Sequence, residues 1–301
     1  MSIALKGQIM KLLEESLITS ATLLGYLENG SEAWHAARAD FGAIGGSEIG
    51  TIAGYNPWQS AVTLFYKKTG KIADDLVPSH RMRIGTKVED DLLEIFQEDH
   101  PELEVFTTGT WASKANPLDR ANVDAIAIDE NGELVLLEVK FSGDNMTSIP
   151  LSYRAQMMWY MGLLSIKRGI LVGLAGSNYV ELPIEFDQFE FEVLLQLAGE
   201  FRKALAEDKQ PDFEGSNSTL QTIRAIHPEI DSDEEVELGD LGIHLFNAYA
   251  DLQEQEKKYR ELQSRTLDAL GNAKWGLCDD RRIVYRTARN GGTPYLAWKK
   301  A

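Results

Sequence analysis

Cysteine is almost missing from this 301-residue chain, which contains only Cys278. A disulfide framework is therefore impossible, and one chain cannot supply a zinc or iron–sulfur site built from cysteines. The five histidines are scattered and form no recognisable catalytic triad, and Ser47 lacks the pattern of a nucleophile elbow. No Walker loop is present, so we do not expect ATP-driven translocation by this chain.

Long apolar runs are missing as well. The nearest to one, residues 169–176, has the length of a strand and not of a bilayer-spanning helix. The first 20 residues carry Glu14 and Glu15 within their apolar pattern and do not have the layout of a signal peptide. We therefore expect a soluble, cytoplasmic protein that does not associate with membranes.

Basic residues are scarce, with 30 Lys and Arg against 47 Asp and Glu and a net charge of −17. This balance argues against binding nucleic acid over the whole surface, but not through a local basic channel. Much of the excess lies in residues 187–240, with fifteen acidic and four basic side chains. We interpret this segment as a solvated connector in preference to an acidic docking surface. The tail, residues 274–301, reverses the sign with seven basic and two acidic side chains.

Hydrophobic periodicity predicts an α/β fold in which a mixed sheet lies between helices. We expect three regions: an N-terminal helical extension (1–33), a catalytic core (34–210), and a C-terminal part (211–301) with an acidic connector, a charged helix and a basic hairpin. Helices are predicted over about 61–69, 85–100, 150–164, 187–206 and 247–270. Strands are predicted over about 104–111, 122–129, 133–141, 169–174 and 179–186. The charged helix and basic tail fit a stabilising appendage better than a role in oligomerisation or DNA tracking.

The hairpin at 122–141 carries the most chemical information. Its turn centres near Asn131-Gly132, so the numbers of paired residues should sum to about 263. Asp124 then lies within one residue of facing Glu138, and Lys140 shares the face of Glu138 because side chains two apart along a strand point the same way. Two carboxylates and an ammonium group are therefore expected to converge at one end of the hairpin.

Two close carboxylates repel each other, so their joint ionisation favours a cation between them. Hard oxygen ligands in a partly open site suit Mg²⁺ or Mn²⁺, which retain waters and accept a substrate phosphate. A nearby lysine can orient or deprotonate water and offset charge that develops on phosphate. These parts indicate phosphodiester hydrolysis. The plain alternative is a surface hairpin with a cross-strand Glu–Lys pair.

Three further features support the hydrolytic interpretation. Glu89 lies on the helix before the strands, beside Val88 and Leu92, on an edge expected to face the core. Gln156 lies among apolar neighbours on the helix after the hairpin, where it is either a satisfied core amide or a group that holds a ligand or water. The glycine-rich stretch 42–54 allows backbone amides to approach a phosphate closely, although such turns are abundant.

An ordered set of motifs runs from before the hairpin to the helix after it: Trp34-x-x-x-Arg38, Ile44-Gly-Gly-Ser-Glu-Ile49, Asn56-Pro-Trp58, Lys67-Lys-Thr-Gly70, Gly85-Thr-Lys-Val-Glu89, Asp124, Glu138-Val-Lys140 and Tyr153-Arg-Ala-Gln156. In order and rough spacing, this set resembles the YqaJ/lambda-exonuclease family, the phage-type alkaline exonucleases of the PD-(D/E)XK nuclease superfamily. The resemblance covers about residues 34–186. The chain departs from the superfamily pattern at Val123, where the name places proline before the aspartate.

The resemblance implies a role for each matching residue. Asp124 and Glu138 would bind metal together with the Val139 carbonyl, and Lys140 would position the attacking water. Glu89, near a second metal, and Gln156 would complete the active site. The positions of Arg38 and Ser47 match those that hold a terminal 5′-phosphate, which fits the charge-assisted fork of arginine and the hydroxyl of serine.

The resemblance further implies a restriction-endonuclease-like core and a Mg²⁺-dependent 5′→3′ exonuclease, with two metal ions per site, that degrades one strand of linear double-stranded DNA. It implies a homo-oligomeric ring and cooperation with a single-strand annealing protein. Three alternatives are to be considered: an endonuclease or junction resolvase of the same superfamily, an iron–sulfur exonuclease of the CRISPR type, and a catalytically silent DNA-end-binding scaffold. The iron–sulfur alternative fails because its cysteine cluster cannot be built from Cys278.

Overall fold

A computed structural model describes residues 2–5, 8–26, 41–73 and 80–298 of the chain. The chain divides into two compact units, one that ends at Glu229 and one that begins at Ile230. None of the described helices combines the length and apolar character needed to cross a membrane.

The first unit contains ten strands and six α-helices among its described residues. The strands are β1 (Ser2–Leu5), β2 (Gln8–Leu12), β3 (Ala21–Gly25), β4 (Glu104–Thr107), β5 (Thr110–Ser113), β6 (Arg120–Asn122), β7 (Ala125–Ile128), β8 (Leu134–Ser142), β9 (Arg168–Ala175) and β10 (Asn178–Glu185). The helices are α1 (Gly46–Ile52), α2 (Ala61–Lys68), α3 (His80–Asp99), α4 (Leu151–Leu164), α5 (Gln188–Ala206) and α6 (Asn217–Ile226).

The main sheet has seven strands in the order β1-β2-β4-β7-β8-β9-β10. The pairs β2–β4 and β8–β9 are parallel and the other neighbours are antiparallel, so the sheet is mixed. The last five strands of this sheet, β4, β7, β8, β9 and β10, form the part that lies between the helices. The predicted α/β class with a mixed central sheet flanked by helices is confirmed.

Both faces of the main sheet are buried, and the alternation of side chains along β8 shows how. Leu136 belongs to a core that includes Met157, Met158 and Trp159 of α4, whereas Leu137 belongs to a second core with Phe96 of α3. Successive side chains of a strand point to opposite faces, so a continuous apolar run such as Leu134–Leu137 can fill both cores. The site residues Glu138 and Lys140 therefore follow directly after a stretch of β8 that is packed on both faces.

The predicted strand 104–111 is two strands in different sheets. β4 joins the main sheet, whereas β5 pairs with β3 and β6 in a separate three-stranded sheet. Gly109 lies at the break, and a Cβ atom there would come within 2.3 Å of the Gly25 carbonyl oxygen. Only glycine allows this close approach of two backbones, which lets the chain leave one sheet for the other.

The predicted helical extension over 1–33 is wrong in its described residues. They form β1, β2 and β3, with one short 3₁₀ turn at Glu15–Leu17. β2 pairs with β4, and β3 pairs with β5, so partners far along the chain stabilise these strands. Tertiary pairing of this kind overrides a local helical pattern, which is a weak signal by itself.

The hairpin of β7 and β8 is confirmed. Ala125 faces Leu137 and Ile128 faces Leu134, so paired numbers sum to 262 and not to the expected 263. Gly132 has φ +79° in the turn. The register extended by one residue places Asp124 directly opposite Glu138.

Helix α6 belongs to the first unit, so this unit extends beyond the boundary expected at residue 210. The Thr63 hydroxyl of α2 hydrogen-bonds to the hydroxyls of Ser218, at 2.6 Å, and Thr222, at 2.8 Å. These contacts attach the beginning of the acidic segment to the core.

The second unit consists of the helix α7 (Asp240–Leu270) and a three-stranded sheet of β11 (Trp275–Cys278), β12 (Arg281–Thr287) and β13 (Tyr295–Trp298). The predicted basic hairpin is β12–β13, with Asn290 and Gly291 at positive φ in its turn. β11 adds a strand that the sequence pattern did not reveal.

Candidate active site

The antiparallel pairing of β7 and β8 brings Asp124 and Glu138 together. Asp124 directly precedes β7, and its Oδ2 accepts a hydrogen bond of 2.7 Å from the backbone N–H of Val139. This bond fixes one carboxylate oxygen of Asp124 beside the middle of β8. Glu138 projects from β8 on the same face of the sheet as Asp124. The hairpin therefore presents two carboxylates across adjacent strands.

Glu138 is the most deeply buried acidic side chain of the site, with 1% of its surface exposed. Its Oε1 accepts hydrogen bonds from the Lys140 ammonium group and, at 2.6 Å, from the Gln156 amide. Its Oε2 has no hydrogen-bond partner among the described residues. A buried carboxylate oxygen without a partner is costly, so this atom is a free acceptor for a ligand.

Glu89 of α3 completes a group of three acidic side chains. Burial raises the pKa of Glu89 to about 8, with further contributions from the charges of Asp124 and Glu138. Burial and the charge of Asp124 likewise raise the pKa of Glu138 to about 8, and burial raises the pKa of Asp124. The three carboxyl groups cannot all ionise at neutral pH without additional positive charge nearby.

Lys140 is the cation of this group. Burial by itself would lower its pKa, but the charges of Glu138 and Asp124 outweigh this effect and raise the pKa above its usual value. The ammonium nitrogen also lies 5.2 Å from the centre of the Tyr153 ring, within range of a cation–π interaction. Lys140 is therefore held protonated and fixed in position.

Gln156 and Tyr160 lie one turn apart on α4 and extend the site toward α1. The Gln156 amide that bonds Glu138 also contacts the Tyr160 hydroxyl at 3.2 Å. The Tyr160 ring packs against Gly46, where a Cβ atom would come within 2.4 Å of the ring. Glycine at position 46 thus permits α1 and α4 to lie in close contact.

The beginning of α1 is held by charged contacts. Glu48 accepts a hydrogen bond of 3.0 Å from the Gly45 N–H and forms an ion pair of 3.0 Å with Lys68, whose ammonium group also bonds the Ala43 carbonyl at 2.7 Å. Ser47 is exposed in the first turn of this braced helix. Its predicted partner in phosphate binding, Arg38, lies outside the described residues.

The chemistry of the donor set fits a divalent cation. Among the described residues, no three Asp, Glu, His or Cys side chains form a ready-made metal cage. Mg²⁺ commonly takes one or two carboxylates and fills its other positions with water and substrate phosphate. The unpartnered Glu138 oxygen and the raised carboxyl pKa values are those expected of such a site. Metal binding by Asp124, Glu138, Glu89 and the Val139 carbonyl stays a prediction.

The structure thus brings together Glu89, Asp124, Glu138, Lys140 and Gln156 from four separate elements. The sequence interpretation did not assign roles to Tyr153 and Tyr160, which contact Lys140 and Gln156. Their spacing of three and four residues from Gln156 places all three on one face of α4, and this spacing was the available signal.

Comparison with protein families gives an independent result. Residues 33–164 match the YqaJ-like viral recombinase domain. The chain is also 23% identical over 265 residues to the uncharacterized protein YqaJ of Bacillus subtilis (strain 168), and the match covers 81% of this chain and 80% of that protein.

Solved structures of similar fold include an alkaline exonuclease from Laribacter hongkongensis. That match has a TM-score of 0.47 and 16% identity, and it covers 60% of this chain and 94% of the other. A phage-related exonuclease from Haemophilus somnus 129PT matches with a TM-score of 0.37 and 12% identity, over 66% of this chain and 96% of the other.

Proposed function

The chain belongs to the YqaJ/lambda-exonuclease family, and we propose that it is a Mg²⁺-dependent 5′→3′ exonuclease that degrades one strand of linear double-stranded DNA. Mn²⁺ is the alternative cation. Family membership indicates a nuclease. The polarity, the metal dependence and the duplex substrate are the parts that we add.

The observation that carries the proposal is the convergence of Asp124, Glu138 and Lys140 with one buried Glu138 oxygen left without a partner. A purely structural Glu–Lys pair on a surface hairpin would be solvated and would not need three carboxyl groups in one buried place. Buried, strongly shifted titratable groups that converge are typical of catalytic sites.

Each residue of the site has a separate role in the proposed reaction. One or two Mg²⁺ ions bound to Asp124, Glu138 and Glu89 would supply positive charge to the phosphate oxygens. Lys140, held protonated, donates hydrogen bonds to the water or to the phosphate and offsets developing negative charge. Gln156 holds Oε1 of Glu138 through its amide and so leaves Oε2, which has no hydrogen-bond partner among the described residues, available to a ligand.

Hydrolysis breaks the bond between phosphorus and the 3′ oxygen of the terminal nucleotide as water adds to phosphorus. The products are a 5′-mononucleotide with a free 3′-hydroxyl and a strand that again ends in a 5′-phosphate. Repetition of this step leaves a 3′ single-stranded tail suited to recombination. The exposed hydroxyl of Ser47 on the braced α1, together with Arg38, is proposed to hold the new 5′-phosphate in each cycle.

We extend the proposal to the partners of the enzyme in the cytoplasm. A homo-oligomeric ring with an acidic exterior and a basic lining would keep duplex DNA off non-productive surfaces, and Arg81, Arg83 and Lys87 of α3 are candidates for the lining. A single-strand annealing protein would receive the 3′ tail. The logarithm of the DNA-binding constant should fall steeply with the logarithm of salt concentration, and a slope near zero would contradict a basic channel.

Digestion of DNA tests the proposed reaction. A linear duplex with one labelled 5′-phosphorylated end is incubated beside a covalently closed circle, with Mg²⁺ or with EDTA. The wild-type protein should release mononucleotides from the linear 5′-phosphorylated end with Mg²⁺ only, and it should leave the circle intact. Lys140→Ala should abolish release, whereas Lys203→Ala, which removes an exposed lysine of α5, should not.

Two other outcomes would replace the proposal. Cutting of the circle would keep the active site but indicate an endonuclease or junction resolvase. Binding of linear ends without nucleotide release, unchanged in Asp124→Ala, would indicate a DNA-end-binding scaffold.

A further inference from the structure

Tyr160 of α4 is a buried tyrosine beside the site, and the proposed reaction gives it no role. Its side chain is 3% exposed. The hydroxyl end of its ring packs against Gly46 of α1, where an added Cβ atom would come within 2.4 Å of the ring and 2.9 Å of the hydroxyl oxygen. Because protein interiors are closely packed, this contact confines the ring between α4 and α1 and fixes the position of its hydroxyl group.

The fixed hydroxyl group of Tyr160 accepts a hydrogen bond from Gln156. The amide nitrogen of Gln156 lies 3.2 Å from this hydroxyl oxygen and 2.6 Å from Oε1 of Glu138. An amide nitrogen carries two hydrogens, so it can donate one to the carboxylate and the other to the tyrosine. Residues four apart on a helix are neighbours on one face, so α4 itself sets the separation of Gln156 and Tyr160. The carboxylate of Glu138 is thereby linked through Gln156 to a confined aromatic ring.

We propose that Tyr160 is a positioning residue of the active site. Its hydroxyl group holds the Gln156 amide against Oε1 of Glu138, and this contact keeps the carboxylate in the orientation that leaves Oε2 for a divalent cation. A glutamine side chain loses much rotamer freedom when it is held in one place. A second anchor, built from a buried ring, removes the alternative positions of the amide before the cation binds. The inference rests on the cation site of the proposed function.

The hydroxyl group acts here as a neutral hydrogen-bond partner. Burial raises the pKa of Tyr160, and the charge of Glu138 raises it further, so the phenol keeps its proton. It therefore adds no negative charge to the carboxyl groups of Glu89, Asp124 and Glu138. A tyrosine can thus restrain Gln156 without increasing the repulsion among these carboxyl groups.

A tyrosine that only fills the core would behave differently. Most buried tyrosine hydroxyl groups find a hydrogen-bond partner, and loss of such a bond lowers stability whatever the function of the partner. A positioning residue must in addition change the property of the group that it positions. Here that property is the affinity of the cation site for Mg²⁺ and, with it, the rate of the chemical step, and both are measured separately from stability.

Tyr160→Phe removes the hydroxyl group and keeps the ring against Gly46. Calorimetric titration of Mg²⁺ into the full-length protein without DNA should give a dissociation constant about tenfold higher than that of the wild type, because a group that orients a metal ligand has been removed. With linear 5′-phosphorylated duplex, kcat for nucleotide release should fall about tenfold, and KM for DNA should change less than about twofold, because the hydroxyl group orients the cation site and does not bind DNA.

Two further variants separate this role from the general loss of a hydroxyl group. Tyr66→Phe removes a hydroxyl group that donates a hydrogen bond of 2.6 Å to Gln210, another glutamine. Its Mg²⁺ dissociation constant and kcat should stay within about twofold of the wild-type values, because Gln210 does not contact the carboxyl groups of the site. Gln156→Met removes the amide itself. Adding Tyr160→Phe to Gln156→Met should change neither quantity further, because the hydroxyl group acts through this amide.

The inference is overturned if Tyr160→Phe melts at a lower temperature but keeps the Mg²⁺ affinity and kcat of the wild type, as expected of a tyrosine that only fills the core. It is also overturned if the effects of Gln156→Met and Tyr160→Phe add, since the hydroxyl group would then not act through the amide.

Failure of the proposed function gives different results. If the wild-type protein binds Mg²⁺ but releases no nucleotide, the proposed reaction is wrong and the titration alone decides the role of Tyr160. If the wild-type protein binds no Mg²⁺, the cation site is wrong and the inference is overturned with it.

Discussion

Acidic residues of the same type lie in opposite environments in the two units of this chain. In the first unit, Glu138 is 1% exposed and forms a cluster of carboxyl groups with Asp124 and Glu89. In the second unit, the glutamates of α7, such as Glu254 and Glu261, stand in solvent. Burial of charge costs free energy, whereas an exposed charge costs almost none.

The contrast shows where net charge carries functional information. The abundant acidic residues of the surface stay hydrated, so they carry little information about the site. A buried acidic residue weakens the fold unless a positive charge compensates it. Arg202 compensates Asp119 at 2.7 Å, whereas three carboxyl groups around Glu138 share the one ammonium group of Lys140, and this imbalance marks the site. The excess of acidic residues in the composition does not distinguish exposed from buried acidic residues. The positions of Asp124 and Glu138 opposite each other in the β7–β8 hairpin do distinguish them.

The largest expected effect is on catalysis. Glu138→Gln keeps the shape of the side chain but removes the negative charge and the cation acceptor. We expect the rate of nucleotide release from linear DNA to fall by about a thousandfold or more, measured with labelled duplex at saturating Mg²⁺. Glu254→Gln, the same change on α7, should alter the rate less than about twofold. Equal effects of the two variants would contradict the contrast between buried and exposed glutamates.

The pH dependence of stability gives the next largest effect. Glu89 and Glu138 have folded-state pKa values of about 8 against ordinary values near 4.5, so the folded state binds more protons than the unfolded state between these pH values. The free energy of unfolding of the metal-free protein should therefore fall as pH rises from about 5 to 8, by several kcal/mol.

Urea denaturation in EDTA measures this loss, and added Mg²⁺ should reverse it most strongly at the upper end of the range. Glu138→Gln removes one of the two shifted groups, so its stability should depend less on pH than that of the wild type. A wild-type stability that rises over this interval would show that the carboxyl groups are not buried together.

Packing at the edge of the site gives a smaller effect. Gly46→Ala places a methyl group 2.4 Å from the Tyr160 ring, so we expect a loss of about 1–3 kcal/mol of stability and weaker activity. Gly199 in α5 has no neighbouring atoms within 4 Å of an added Cβ. Gly199→Ala should therefore stabilise the protein by about 0.5–1 kcal/mol, because alanine favours the helix. Thermal denaturation of both variants tests these two expectations. A Gly46→Ala variant with unchanged stability would mean that α1 and α4 are not in close contact.

The smallest effect concerns the solvated charges of α7. Glu261 pairs with Arg265 one turn along the helix at 2.5 Å, and both side chains are more than half exposed. Glu261→Ala should change the free energy of unfolding by less than about 0.5 kcal/mol, as is usual for exposed pairs. Chemical denaturation with a loss above 1 kcal/mol would show that this face is buried in the folded protein.

The sequence predicts the hairpin and the helix after it well because their signals are local. Asn131-Gly132 fixes the turn, and the alternation along 125–128 and 134–141 fixes which side chains share a face. From these signals alone, Asp124 could be placed within one residue of the position that faces Glu138 on the neighbouring strand. The interior helices 61–68, 151–164 and 188–206 also follow from periodicity.

The remaining parts depend on contacts between distant segments. β2 and β3 are strands because β4 and β5 lie beside them, and no pattern within residues 8–25 reveals these partners. The break at Gly109 and the attachment of α6 to α2 have the same origin. In the site, the contact of Tyr160 with Gly46 joins segments more than one hundred residues apart, so its role became visible only in the folded chain.

The central claim is that the buried carboxyl groups at the end of the β7–β8 hairpin bind a divalent cation. Calorimetric titration of Mg²⁺ into the wild-type protein at pH 7, in two buffers of different ionisation enthalpy, tests it most directly. The account predicts binding that releases protons, because Glu89 and Glu138 are protonated in the metal-free state and must ionise to hold the ion. Glu138→Gln should abolish or greatly weaken that binding. Absence of Mg²⁺ binding at millimolar concentration, or binding without proton release that Glu138→Gln leaves unchanged, would contradict the account.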